Sequence, residues 1–219
     1  MIRVRPLLVA TAALCVSVVA ATAADARRPC ASRGSRTVLA TAGTRIFTRP
    51  ARVAPRYRVT RWYGCAYGTD RRFRLATVGE PGIFVTAVRP VRLVGHLVAY
   101  SDYYEGPAGG TLADVRVRDL RSGRQVVSQQ AGTPDAEERQ RPVEDLELKA
   151  DGAVAWIEAS EPVSPPPAGA VMYRVRKRDA GGAAVTLDEG PDIAPRSLAV
   201  SASTVYWTRG GSPRSAALN

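Results

Sequence analysis

The sequence predicts an all-β fold made of four repeated antiparallel units. A hairpin pattern, in which two apolar runs flank a small or polar turn, recurs at residues 38–49, 91–102, 146–158 and 198–209. Each second run ends in an aromatic residue, and these residues are Phe47, Tyr100, Trp156 and Trp207. They lie 53, 56 and 51 residues apart, and such a period is typical of repeats built from small antiparallel sheets. We therefore expect the four rings to occupy equivalent buried places.

A second hairpin follows the first within a unit. Its strands alternate apolar and cationic residues before a glycine turn, which is the period-2 signature of a strand. These strands are 63–66 and 73–75 in the first unit, 115–118 and 125–127 in the second, and 173–176 and 184–187 in the third. The pattern predicts four strands per unit. The expected units are about 37–80, 84–130, 142–188 and 192–219 of one domain, 37–219.

The last unit is predicted to be incomplete. After Trp207 the sequence has room for a third strand but not for a fourth. Residues 27–36 would have to supply the missing strand, and that run is polar and poor in β-forming residues. We therefore expect an open or imperfectly closed ring.

A unit of four antiparallel strands that repeats every 50-odd residues resembles a blade of the β-propeller proteins, such as the TolB-like, kelch and WD40 families. Asp151-Gly152 fits the small turn between the first two strands of TolB-type repeats. The Trp-Asp pair of WD40 repeats and the paired glycines of kelch repeats are missing. The resemblance implies about four propeller-like blades, and it assigns the chain to none of these families.

The N-terminus carries the features of an export signal. Arg3 and Arg5 precede an apolar run, 7–21, and small residues at Ala21 and Ala23 mark a cleavage site. We expect residues 1–23 to be removed, which leaves no membrane span in the mature chain. A cut after Ala26 and an uncleaved anchor are the alternatives. The prediction is a secreted or cell-envelope protein.

Export changes the meaning of the cysteines, because Cys15 leaves with the signal and Cys30 and Cys65 remain. In an oxidising compartment an even pair favours a structural disulfide. A thiol nucleophile or a metal pair would need a nearby histidine or a CxxC spacing, and neither is present. We expect the bond to tie the N-terminal segment, 24–36, to the first unit.

The chain is strongly basic, with a formal net charge of +11. Almost all of its cations are arginine, and only Lys149 and Lys177 are lysines. This skew fits the drift of a GC-rich coding sequence, so part of the charge reflects composition. Nucleic acid is therefore not the expected partner, and an anionic cell-wall polymer is the better match for a basic exported protein.

A mixed aromatic and charged surface is the main candidate for ligand binding. Its candidate residues are Trp62, Tyr63, Tyr67, Tyr103, Tyr104, Asp102 and Glu105. Aromatic rings next to arginines bind sugars, peptides or single strands by stacking and charge. Asp102 with Glu105 is also the carboxylate pair that a glycan hydrolase or lyase would use. The plainer interpretations are that the rings serve the core and that the carboxylates decorate a loop.

Other candidates are weaker. His96 is the only histidine, and no Gly-x-Ser-x-Gly motif supplies a nucleophile for it. Asp135, Glu137 and Glu138 form an acidic loop without the spacing of a calcium site. We expect no cofactor and no metal. Four arginines, namely Arg116, Arg118, Arg174 and Arg176, are predicted to form the solvent face of two strands.

The sequence therefore favours an exported, non-catalytic binding module over an enzyme. A propeller-type glycan hydrolase or lyase is the first alternative, and a cationic protein held on an anionic wall polymer is the second. Glycan, envelope polymer or another protein are the partners considered.

Overall fold

The computed structural model describes residue 30 and residues 32–69, 71–80, 85–105, 111–132, 138–162 and 170–219. Within these ranges the secondary structure is almost entirely strand, and the strands form four antiparallel sheets. The predicted all-β, propeller-like fold is confirmed. The predicted signal, 1–23, lies outside the described residues.

The first sheet contains four strands in the order of the chain. They are β1 (Arg36–Ala40), β2 (Thr44–Ala54), β3 (Tyr57–Ala66) and β4 (Arg72–Val78). The turn at residues 41–43 is stabilised by Thr41, whose Oγ1 accepts hydrogen bonds from the amides of Gly43 and Thr44. β2 runs beyond Arg49, where the sequence pattern ended, because it pairs with the whole of β3.

The second sheet repeats this order. Its strands are β5 (Val85–Val94), β6 (Leu97–Glu105), β7 (Thr111–Asp119) and β8 (Gln125–Ala131). Gly95 makes the tight turn between β5 and β6 with a φ of 57°, a backbone conformation that glycine adopts without strain. Val91 pairs with Tyr100 across this hairpin, in the register that the alternation predicts.

The third sheet has the same strand order with one additional strand. Its strands are β9 (Glu138–Gln140), β10 (Asp145–Leu148), β11 (Val154–Pro162), β12 (Met172–Arg178) and β13 (Ala184–Gly190). β9 and β10 pair with successive parts of β11. The short break between them places residues 141–144 beside the second sheet, a detail that the repeat pattern does not reveal.

The fourth sheet has three strands, in agreement with the predicted incomplete unit. They are β14 (Ala199–Ser201), β15 (Thr204–Arg209) and β16 (Ser212–Ala217). The described residues of the N-terminal segment do not supply a fourth strand, because Cys30 is bonded to Cys65 of β3 and Arg36 pairs with Thr48 of β2. β16 is therefore an edge strand within the described part of the chain.

The hydrophobic core is divided into clusters that lie between successive sheets. Phe47, Tyr100 and Trp207 lie on the second strand of their sheets, and Trp156 lies on β11, the second strand of the path β10-β11-β12-β13; all four are at most 5% exposed. Tyr100 packs with the first sheet, Trp156 with the second and Trp207 with the third. Each of these three rings therefore covers the preceding sheet. No extensive contact joins the first sheet to the fourth in the described ranges.

Phe47 has no preceding sheet, and the N-terminal segment covers it instead. Cys30, Phe47 and Cys65 form a buried cluster, against which Tyr63 and Tyr67 pack. The predicted disulfide between Cys30 and Cys65 is confirmed, with Cα atoms 5.7 Å apart and 35 residues of sequence separation. The disulfide therefore closes the exposed end of the stack of sheets.

Candidate binding cleft between the second and third sheets

A cleft of about 780 Å³ opens between the second and third sheets. It lies where β6 and β11 end and where β7 and β9 begin. Neighbouring antiparallel strands alternate in direction, so these four strand ends meet on one side of the molecule. The lining residues are Ala87, Arg89, Tyr103, Glu105, Thr111, Arg139, Gln140, Arg141, Pro142 and Glu161.

The two walls of the cleft are joined at Gln140. The hydroxyl of Thr111 donates a hydrogen bond to the Gln140 carbonyl at 2.7 Å, and the hydroxyl of Tyr103 donates to the same oxygen at 3.4 Å. The Gln140 side chain packs on Gly132, where an added Cβ would lie 2.0 Å from its Nε2 and would displace that side chain. Glycine is favoured there by a φ of 83°. These contacts hold the base of the cleft in place.

The charges of the cleft are uneven. Arg141 and Glu161 form an ion pair 3.5 Å long, in which both side chains are partly exposed. Arg89 and Arg139 are exposed and have no ion-pair partner among the described residues. Glu105 is also exposed. The cleft therefore presents two unpaired guanidinium groups against one unpaired carboxylate.

Tyr103 provides an aromatic wall that remains a neutral hydrogen-bond donor. Burial raises the pKa of its phenol, and the carboxylate of Glu105 raises it further. The hydroxyl of Tyr103 donates to Gln140, so the guanidinium groups are the donors left for a ligand, and they suit ligands rich in hydroxyl or carboxylate oxygens. The cleft is thus built to bind a polar molecule rather than an apolar one.

Asp102 lies on the opposite face of the second sheet, in a buried polar network. Its Oδ2 accepts a hydrogen bond from the hydroxyl of Tyr104 at 2.9 Å and lies 3.2 Å from Nε of Arg116. This Nε–H is not directed at the carboxylate as a hydrogen bond requires, so the contact is an ion pair. Arg116 also donates to Tyr104 and to Asp114, each at 2.9 Å.

Burial raises the pKa of Asp102 to about 6, although Arg116 and the hydrogen bond from Tyr104 act in the opposite direction. The folded state therefore holds a proton that the unfolded state releases, and stability falls as pH rises from about 4 to about 6. Over this pH range, we expect the Asp102→Asn variant to lose about 2–3 kcal/mol less of its free energy of unfolding than the wild type loses. Urea unfolding of both proteins below and above this pH range measures the difference.

Asp114→Asn is the matched control for this prediction, since Asp114 also contacts Arg116 but is more exposed. That variant should retain most of the dependence on pH. An equal fall in stability in the Asp102→Asn protein and in the wild type would contradict the assignment.

The structure does not bring the proposed carboxylate pair together. Side chains three residues apart on a strand point to opposite faces, so Asp102 faces the first sheet while Glu105 lines the cleft. Asp102 is 1% exposed and bound to protein groups. These two carboxylates therefore do not face a common substrate.

The aromatic stretch of the first unit is used mainly for packing. Tyr63 stacks on Phe47 with ring centroids 5.4 Å apart, and Tyr67 packs on the same cluster. Trp62 packs against the cluster between the first and second sheets, as Tyr104 does. Only two of the seven residues proposed for the ligand surface, Tyr103 and Glu105, line the cleft.

The prediction that the four strand arginines form a solvent face is wrong. Arg116 and Arg176 lie between sheets, paired with the buried carboxylates of Asp102 and Glu158. Arg118 donates to the backbone oxygen of Arg74 in the preceding sheet. Alternation shows that a strand has two faces, but a sheet stacked on both sides buries both of them.

The remaining candidates lie away from the cleft or outside the described residues. His96 is a partly exposed turn residue, 3.9 Å from Asp119. Asp135 and Glu137 are not described, and only the backbone of Glu138 is. Within the described ranges no group of three or more His, Cys, Asp or Glu side chains is arranged to hold a metal. In the same ranges no helix is both long and apolar enough for a membrane crossing.

The fold and cleft define an all-β, propeller-like protein with an open polar site. No family model matches the chain, and no curated protein matches it. Among solved structures it is similar to the α-L-arabinanase of Penicillium chrysogenum complexed with arabinobiose, at 9% identity and a TM-score of 0.40. The match covers 77% of this chain and 54% of that one, so this chain spans about half of that protein's length. A likeness this low carries no argument about function.

Proposed function

We propose that this chain is an exported, non-catalytic binding module whose cleft between the second and third sheets takes an acidic polysaccharide. The observation that carries the proposal is the pair of exposed guanidinium groups, Arg89 and Arg139, on opposite walls of one open cleft. A guanidinium binds a carboxylate through two parallel hydrogen bonds, which gives both affinity and orientation.

The shape and lining of the cleft support a polymeric ligand. The cleft is open to solvent and polar, with Tyr103, Thr111 and Gln140 at its base. An open groove accepts an internal stretch of a long chain, whereas a small metabolite is held in a pocket that encloses most of its surface. Without Arg3 and Arg5 of the predicted signal, the net charge of +11 becomes +9, and this positive charge also favours the approach of a polyanion.

Export is part of the proposal. The disulfide between Cys30 and Cys65 is of the kind that persists in oxidising compartments. An acidic polymer of the cell envelope or of the surroundings is accessible to a protein in such a compartment.

The alternative is a glycan hydrolase or lyase that uses loop carboxylates. Asp102 is buried on the other face, and the described carboxylates of the cleft are Glu105 and Glu161, of which Glu161 is already paired with Arg141. Retaining and inverting glycosidases place two carboxyl groups on either side of the scissile bond. Shortening of the ligand on incubation would favour this alternative over the binding module.

We expect the mature protein to bind polygalacturonate and not neutral dextran, as measured by affinity electrophoresis in gels that contain the polymer. Arg89→Ala with Arg139→Ala should weaken binding about a hundredfold, because each change removes a charge-assisted hydrogen-bonding group.

The matched control is Arg52→Ala with Arg58→Ala, which removes the same charge from exposed positions of the first sheet. This control should bind almost as well as the wild type. Equal losses in both double variants would contradict the cleft and indicate attachment driven by net charge, which is the second alternative.

A further inference from the structure

The fourth sheet lacks the strand that completes the other three. Each of those sheets ends in a fourth strand of seven residues, namely β4, β8 and β13. In the part of the chain that the structure describes, β16 pairs only with β15. Its outer row of backbone amide and carbonyl groups is therefore available to an added strand.

A groove of about 360 Å³ lies beside this edge. It is lined by Leu187, Asp188, Trp207, Arg209, Arg214, Ser215 and Ala216. The first two residues belong to β13, and the others belong to β15 and β16. The groove therefore lies between the third sheet and strands β15 and β16 of the fourth sheet, and the edge strand β16 forms part of its wall.

Comparison of the repeated units shows that the fourth sheet lacks an acidic residue that the second and third sheets have. Arg116, Arg176 and Arg214 are equivalent, since each pairs across strands with the repeated aromatic of its sheet. Arg116 and Arg176 are paired with an acid that lies two residues beyond that aromatic, Asp102 or Glu158.

The fourth sheet has Arg209 at the position of that acid. Arg209 is held by Asp188 and Asp192. Arg214 is exposed and has no ion-pair partner in the described part of the chain. Its guanidinium is therefore exposed and free of carboxylates from the described residues, next to the edge of β16.

We propose that the free edge of β16 accepts an extended acidic segment of a partner protein as the fourth strand of the last sheet. Backbone hydrogen bonds to β16 provide the pairing, and a carboxylate next to Arg214 provides selectivity. This site goes beyond the polysaccharide cleft and is independent of it.

A second copy of this chain fits the edge poorly. Two β16 strands that paired antiparallel around Arg214 would bring two Arg214 side chains close together. The N-terminal segment is held at the other end of the stack by the Cys30–Cys65 disulfide.

The chain itself provides matched probes. Capped peptides of residues 184–190, 125–131 and 72–78 are its own fourth strands, and their sequences AVTLDEG, QVVSQQA and RFRLATV are acidic, neutral and basic. Each peptide is titrated into the ¹⁵N-labelled mature protein. We expect the acidic peptide to shift the amide signals of β16 and to bind about tenfold more tightly than the neutral one. The basic peptide should cause no shift.

Arg214→Glu should abolish binding of the acidic peptide, whereas Arg58→Glu, the same change at an exposed residue of the first sheet, should leave it intact. The proposal is overturned if no peptide shifts the β16 signals, or if the basic peptide binds as tightly as the acidic one. It is also overturned if the free protein sediments as a dimer through this edge.

Discussion

Replacement of Trp156 by alanine is expected to lower the free energy of unfolding by about 3–5 kcal/mol, as for other large aromatic side chains in cores. The ring is fully buried between the second and third sheets. Its Nε1 donates to Oε2 of Glu158 at 2.9 Å, and the guanidinium of Arg176 lies 5.5 Å from the ring centroid. The change therefore creates a cavity and removes a partner from a buried carboxylate.

Tyr206→Ala is the matched control for this prediction, because Tyr206 lies on a second strand but is 42% exposed. It should lower stability by no more than about 1 kcal/mol. Urea unfolding of both variants measures the difference. A loss at Trp156 no larger than the loss at Tyr206 would show that the repeated aromatics do not hold the sheets together.

Loss of the disulfide is expected to have an effect of similar size. The Cys30–Cys65 bond spans 35 residues, and a closed loop of that length stabilises a fold by about 4 kcal/mol on the chain-entropy model. The double variant Cys30→Ser with Cys65→Ser should lose about this amount. It also releases the segment that covers Phe47, so the first sheet should become more accessible to hydrogen exchange than the others.

The wild type in the presence of reductant is the control, since it should fall to the stability of the double serine variant. Unchanged stability in either sample would mean that the N-terminal segment is held by other contacts. The disulfide would then not be what closes this end of the stack.

The architecture could be predicted from the sequence because the repeated signal is local. Alternation sets the strands, and glycine turns such as Gly95 and Gly152 separate them. The aromatics mark one equivalent position in each unit. The three-stranded last unit was predicted from the few strand-forming residues after Trp207, and the disulfide was predicted from the number of cysteines left by the predicted export signal.

The cleft could not be predicted in this way. Arg89 and Arg139 come from different units, and only the packing of the second sheet on the third brings them together. Arg139 lies on β9, a short strand that the repeat pattern does not contain. Conversely, residues that are close in sequence need not share a site. Asp102 and Glu105 are three residues apart, but the pleat of β6 directs their side chains to opposite faces of the sheet.

The location of the polysaccharide site can be tested by NMR titration of the ¹⁵N-labelled mature protein with an oligogalacturonate. We expect the largest amide shifts at residues 87–89, 103–105, 111 and 139–142, and no cleavage in the oligosaccharide's own signals. Largest shifts in the first or the fourth sheet would contradict the proposed location of the site. New reducing-end or unsaturated sugar signals would contradict a non-catalytic role.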